Sequence, residues 1–101
     1  MALFKRPLQK QFYRDYVKST FWQLRKRRYI SRHGRGCEIC ADTDRVDVYH
    51  LRAGDYGHER DADLVALCRA HHLEFQEMIE HEGDNFDRAA FIREKMAEHE
   101  A

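Results

Sequence analysis

The sequence has no apolar run long enough to cross a bilayer and no signal-peptide-like hydrophobic stretch. Membrane and secreted classes are therefore set aside, and a cytoplasmic setting with no membrane partner is expected. Cysteine is scarce. Its three copies sit in knuckle spacing, which suits a reducing compartment and a metal rather than a disulfide framework. The single proline, Pro7, lies in a basic lead-in and can open a helix at its first turn. Neither Pro nor Gly interrupts the stretch from Gln9 to Arg28. No internal repeats or low-complexity tracts appear. One hundred and one residues make one small domain whose apolar core is marginal, and a structural metal is a common staple at this size.

Net charge is also absent, but only in the sum. Residues 1–36 hold eleven Lys or Arg against the one acid Asp15, a net of +10. Residues 37–101 hold seven Lys or Arg against seventeen acids, a net of −10. A basic half is the electrostatic footprint of a phosphate-backbone binder, and DNA is the expected partner. The competing explanation is a solvated helix face that pairs with the acidic half. Aromatics interleaved with the cations favour nucleic acid.

What is present is a four-ligand metal frame. Cys37-x-x-Cys40 and Cys68-x-x-His71 are separated by 27 residues, enough for a hairpin. Two knuckles supply a tetrahedron of the soft and borderline donors that Zn²⁺ prefers, so a structural zinc is expected. His72 is adjacent to His71 and is the alternative fourth ligand. Successive helical side chains lie about 100° apart, so one histidine faces the knuckle and the other does not. His71 is assigned to zinc and His72 left free.

Three blocks follow: a basic helical arm over 1–36, a zinc-bound core over 37–82 and a C-terminal helix over 83–101. From Gln9 to Arg28 the residues Phe12, Tyr13, Tyr16, Val17, Phe21 and Leu24 recur near helical spacing. Phe12, Tyr16 and Trp22 are taken as core. Ser19 and Thr20 can mark an N-cap that splits the stretch in two. Arg25, Lys26, Arg27 and Arg28 are the candidate phosphate contacts. Arg45 to Leu51 alternates and reads as a strand with His50 at its end. Arg52 to Ala62 is a loop whose Arg52 and Arg60 can clamp a phosphate. Leu64 to Leu67 is a returning strand or the start of the next helix, with the strand preferred. His71 to about His81 is helical, stopped by Gly83, with His72 and Gln76 on one face. Asp84 or Asn85 then caps a last helix from Phe86 to about Glu98, with Phe86, Ala90, Ile92 and Met96 inward.

The run CEIC, then VYHL, then GHE, then DLVALCRAHH resembles the zinc-stabilised HNH endonucleases of the ββα-metal type over about residues 20–80. That resemblance implies an α+β fold: a small ββα-metal finger with a short two-stranded antiparallel sheet, flanked by N- and C-terminal helices. It implies His50 as general base and His72 as a ligand of a catalytic divalent ion, Mg²⁺ or Mn²⁺. Tyr49 stands where the family places a metal-binding His or Asp, and a neutral phenol with a pKa near about 10 is a poor ligand for Mg²⁺. Gln76 is a weak substitute for a further ligand. The family's middle Asn is missing, and either His58 or Asp63 takes over the orienting of His50, Asp63 by accepting from its imidazole N–H.

Three functions follow as expectations. The first is a metal-dependent HNH endonuclease that nicks DNA with low sequence specificity, since no separate recognition domain is present. The second is a zinc module that binds nucleic acid without turnover. The third is a protein-interaction adaptor using the acidic C-terminal helices. Monomer and homodimer both stay open.

Overall fold

Ser19 divides the basic arm. Its hydroxyl accepts from the Trp22 N–H at 3.1 Å and donates to the Tyr16 carbonyl at 2.6 Å, so one residue caps the incoming helix and closes the outgoing one. The computed structural model describes residues 11–52, 56–83 and 86–100. Within them α1 covers 11–17 and α2 runs Thr20–His33. Gly34 ends α2 at φ +92°, where a side chain would be strained, and donates its N–H back to the Ile30 carbonyl.

Two strands, β1 (Asp47–His50) and β2 (Leu64–Leu67), pair antiparallel with Val48 opposite Ala66 and His50 opposite Leu64. Leu64–Leu67 is thus a strand and not a helix start. A 3-10 turn over Asp61–Asp63 leads into it, closed by a hydrogen bond from the Arg60 N–H to Asp63 Oδ2 at 3.0 Å. Then come α3 (Arg69–Glu82), stopped at Gly83, and α4 (Arg88–Glu100). Asp87 caps α4 by accepting from the Ala90 N–H at 3.0 Å. The expected caps Asp84 and Asn85 lie outside the described residues. The result is a small α+β domain of four helices and a two-stranded antiparallel sheet.

The sheet is covered on both faces. Side chains alternate along a strand, so β2 sends Leu64 and Ala66 one way and Val65 and Leu67 the other. Leu64, Ala66 and Val48 pack on Tyr16, Trp22 and Tyr29 of the N-terminal helices. Val65 and Leu67 pack with Cys37, Ile39, Cys68, Phe75 of α3 and Ile92 of α4. Phe75, Leu67 and Val65 are fully buried, each contributing about 1.5–3 kcal/mol relative to exposure. The α2 stripe is Trp22, Arg25 and Tyr29, not Phe21 and Leu24, which are 53 % and 52 % exposed. Phe12, expected in the core, is 55 % exposed.

Side chains close both outer edges of this sheet. Glu38 does so at β2: its own N–H donates to the Ala66 carbonyl at 2.9 Å, and its carboxylate accepts from the Ala66 N–H at 2.7 Å. Tyr29 donates to the same carboxylate at 2.6 Å and lies 3.3 Å from the Leu64 carbonyl. At β1 the Asp47 carboxylate accepts from the Val48 N–H at 2.8 Å, and Arg88 donates to the His50 carbonyl at 3.2 Å.

Candidate functional site

The knuckle starts in a tight turn. The Cys37 N–H donates to the Asp42 carbonyl and the Ala41 N–H to the Cys37 carbonyl, both at 2.8 Å. Gly36 sits close beside it: a Cβ there would meet the Ala41 carbonyl oxygen at 3.1 Å, so the turn would have to give by a few tenths of an ångström. Cys68 caps α3, and His71 comes round in its first turn. The Sγ atoms of Cys37, Cys40 and Cys68 and a ring nitrogen of His71 all lie within 4.8 Å of one another.

These distances can be compared with a tetrahedron. Zn–S bonds of about 2.3 Å and Zn–N bonds of about 2.0–2.1 Å require edges of about 3.8 Å for S···S and about 3.6 Å for S···N. Cys40 and Cys68 Sγ are 3.8 Å apart, and His71 Nδ1 is 3.6 Å from Cys37 Sγ and 3.3 Å from Cys68 Sγ. The donor set fits, and the cluster can hold a metal ion such as zinc. His71, not His72, completes it.

The Cys37 and Cys40 thiols are pushed in opposite directions. Burial pushes Cys37 up, but N–H groups of Cys68, Cys40 and Ile39 outweigh it and bring the thiol below its ordinary value. Burial holds the Cys40 thiol at about 11, with the other two sulfurs adding to the rise. A dication entering the cluster must therefore displace protons, which couples its affinity to pH.

His50 and His72 do not come together. They lie on opposite faces of the sheet, because Tyr49 and His50 are neighbours on a strand. His50 is 3 % exposed, with its ring stacked on Trp22 at 4.4 Å. Its Nε2 lies 2.7 Å from Oε2 of buried Glu59. Glu59 also accepts from Tyr16 Oη at 2.9 Å and from the Gly57 N–H at 3.1 Å. Burial raises the Glu59 carboxyl, but the bonds from His50 and Tyr16 outweigh it and hold it below the usual range. Burial likewise lowers His50 despite Glu59. The pair is thus carboxylate and neutral imidazole, with Nε2–H donated to Glu59. His50 Nδ1 is left buried and without a hydrogen-bond partner.

Neither expected partner orients His50. His58 is exposed. Asp63 is taken by the Arg60 N–H at 3.0 Å and by the side chains of Arg60 and Arg52 at 3.6 and 3.8 Å. Those bonds, the Arg60 N–H first, keep its carboxyl low. Arg52 and Arg60 therefore flank a carboxylate of their own rather than standing as a free clamp.

On the other face Tyr49 and His72 stack flat, centroids 4.0 Å apart and planes 7° from parallel. Burial lowers His72 and pushes the Tyr49 phenol up to about 12. Gln76 is exposed and donates to Glu80 Oε1 at 3.2 Å. A neutral imidazole, a protonated phenol stacked against it and an outward amide do not form a set that fits a hard divalent ion.

The arginine cluster also divides. Arg25 is 6 % exposed and donates to the Glu59 carbonyl at 3.1 Å and to Asp61 Oδ1 at 2.7 Å, which makes it part of the core. Lys26 reaches Asp47 at 2.8 Å. Arg27 and Arg28 are exposed, as a phosphate contact requires. Asp61 gathers His33, Arg25 and Arg32, which hold its carboxyl well below the usual range.

Glu59, Glu38 and Asp61 are the residues that sequence reading passed over. Glu59 stood in the GHE motif, and its acidity beside a histidine was the available signal. No protein-family model, curated protein or solved structure matches this chain.

The His50–Glu59 pair makes stability fall with acid. Glu59's folded value lies below its unfolded one, about 4.3, so its contribution is full above that and lost as pH falls through the folded value. His50's folded value lies below about 6.5, so below that pH the unfolded chain binds the extra proton. Thermal melts of metal-loaded protein should drop from about pH 6.5 downward, and His50→Gln should flatten the part of the slope between about 6.5 and 5. Metal content is followed in parallel. An unchanged slope in the variant would remove His50 from the account.

Proposed function

We propose that this chain is an HNH-type endonuclease domain of the ββα-metal kind, nicking DNA with low sequence specificity, with His50 as general base and Glu59 as the residue that positions it. The observation that carries the reading is the 2.7 Å bond between His50 Nε2 and buried Glu59 at the end of β1, in a domain that also carries a Cys₃His frame. Hydrolysis needs a water deprotonated and aimed in line at phosphorus, with the 3′-oxygen leaving. With Nε2–H fixed on Glu59, Nδ1 keeps the lone pair that takes the water's proton. Arg88, already on the His50 carbonyl, brings a positive charge to the same place. Tyr13 and Tyr56 rings lie 5.8 and 5.0 Å from the imidazole and must part for water to reach it. Zn²⁺ at Cys37, Cys40, Cys68 and His71 acts as a staple, because four protein ligands leave no open position. The resemblance also implies Mg²⁺ or Mn²⁺ as a catalytic ion. His72, Tyr49 and Gln76 do not fit that ion.

That misfit, together with the burial of His50, favours a second reading: a zinc module that binds nucleic acid without turnover. Supercoiled plasmid separates the two. The zinc-loaded protein, incubated with Mg²⁺, Mn²⁺ or EDTA, should convert supercoiled to nicked circle, and His50→Gln should slow this by about 10²–10⁴-fold with zinc content unchanged. No nicking under any condition, together with salt-sensitive DNA binding, would transfer the assignment to the binding module.

A further inference from the structure

The outer surface over His50 is aromatic. Phe12 and Phe21 are more than half exposed, and Tyr13 is 36 % exposed. Their rings are linked to one another through half-buried Tyr56 and buried Tyr16. Tyr13 lies 5.0 Å and Phe12 6.2 Å from Tyr56, while Phe12 and Phe21 flank Tyr16 at 6.5 and 6.2 Å. Leu24 continues it one turn along α2, also more than half exposed. A soluble protein has no packing reason to leave this many large rings uncovered in one place.

The same two helices carry exposed cations. Arg14 and Lys18 are exposed on and just after α1, and Arg28 follows Leu24 at i+4 on the exposed face of α2. Arg88 lies close enough to Tyr13 to pull against the rise in its pKa. Residues 1–36, which carry most of these groups, have a formal net charge of +10, part of which Asp61 and Asp47 neutralise through Arg25, Arg32 and Lys26. A second copy presenting the same basic patch would be repelled, whereas a polyanion is attracted. Rings beside cations match a strand whose bases stack while its phosphates are neutralised. A duplex buries its base faces in its own stack and offers only phosphates and groove edges. Unpaired bases expose the π-face that this surface can cover.

From this juxtaposition we infer that the surface formed by Phe12, Tyr13, Phe21 and Tyr56 is a stacking platform for single-stranded or locally unpaired nucleic acid. This rests on the nucleic-acid part of the proposed function and gives it a substrate class. Tyr13 and Tyr56 also contact the His50 ring, so the platform adjoins the His50–Glu59 pair.

Fluorescence anisotropy with labelled oligo(dT) and a duplex of equal length, at matched salt and without added divalent ion, tests it. Oligo(dT) should bind at least about tenfold more tightly than the duplex. The double variant Phe12→Ala/Phe21→Ala should weaken oligo(dT) binding by about 10–100-fold while keeping its zinc, and Phe12→Trp/Phe21→Trp should restore it. Equal or tighter duplex binding, or no loss in the alanine variant, overturns the platform. So does a dimer of the free protein that the alanine variant abolishes, which would assign the patch to a second copy. Plasmid nicking without oligo(dT) preference refutes only the platform. Oligo(dT) preference without nicking refutes only the hydrolase.

Discussion

Stripping the metal from the zinc-loaded protein should unfold it. The Cys₃His frame joins the knuckle turn, the end of β2 and the first turn of α3, and two of its cysteines are buried in the larger core cluster beside Ile39, Leu67 and Phe75. Folded domains of this class are stable by about 5–15 kcal/mol, while a structural zinc contributes apparent binding energies of about 10–16 kcal/mol in small metal-folded units. Loss of the ion therefore removes an energy comparable to the whole stability of such a domain. Circular dichroism and amide proton dispersion, followed during titration with a zinc chelator, should show cooperative loss of structure that returns when zinc is restored. Cys68→Ser should behave as the stripped protein does, because it removes a ligand and alters the residue that starts α3. A chelated protein that still melts cooperatively within a few degrees of the loaded one would mean the apolar layers are sufficient alone.

The second large effect is expected at Arg25. Sequence reading placed it among the phosphate contacts, but its guanidinium is buried between the Glu59 carbonyl and Asp61. Breaking a buried pair by removing one partner costs about 3–5 kcal/mol. Asp61 is a quarter exposed and keeps Arg32 and His33, so the cost is discounted to roughly 2–4 kcal/mol. For a domain of this size that is a fall in Tm on the order of 10–30 °C. Arg27→Ala and Arg28→Ala should change stability by no more than about 0.5 kcal/mol and instead weaken DNA binding and its salt dependence. If Arg25→Ala melted like the parent and lost DNA affinity, the reading from the sequence would be the correct one.

These cases show where the sequence is informative. Ligand spacing made the Cys37, Cys40, Cys68 and His71 frame legible, because a tetrahedron needs donors from two tight turns and little else. Alternation made β1 legible, the second knuckle's turn directly after the apolar run Leu64–Leu67 favoured a strand at β2, and Ser19 and Gly34 mark helix ends through local hydrogen bonds. What could not be read was sidedness. Period two says only that Tyr49 and His50 point apart. It is Trp22, arriving from another element, that decides which of them is covered. Partner choice was equally opaque. Asp63 and Glu59 are both carboxylates within reach of the hairpin, and the 3-10 turn at Asp61–Asp63 commits Asp63 to the Arg60 N–H. Arg25 was misassigned because charge was taken as a sign of exposure. Yet Trp22, Arg25 and Tyr29 already lay at helical spacing.

The side-chain hydrogen bonds along the outer rims of the two strands have a consequence for how the protein tolerates crowding. A bare two-stranded ribbon invites a third strand from any neighbour, and that is how fibrils begin. Here Glu38 occupies both groups of Ala66, and Asp47 and Arg88 occupy groups of Val48 and His50. An intruding strand would have to displace charged side chains already bonded there. Three charged side chains thus make the ribbon's edges a poor template for growth, so the helices need cover only the two faces of so small a sheet.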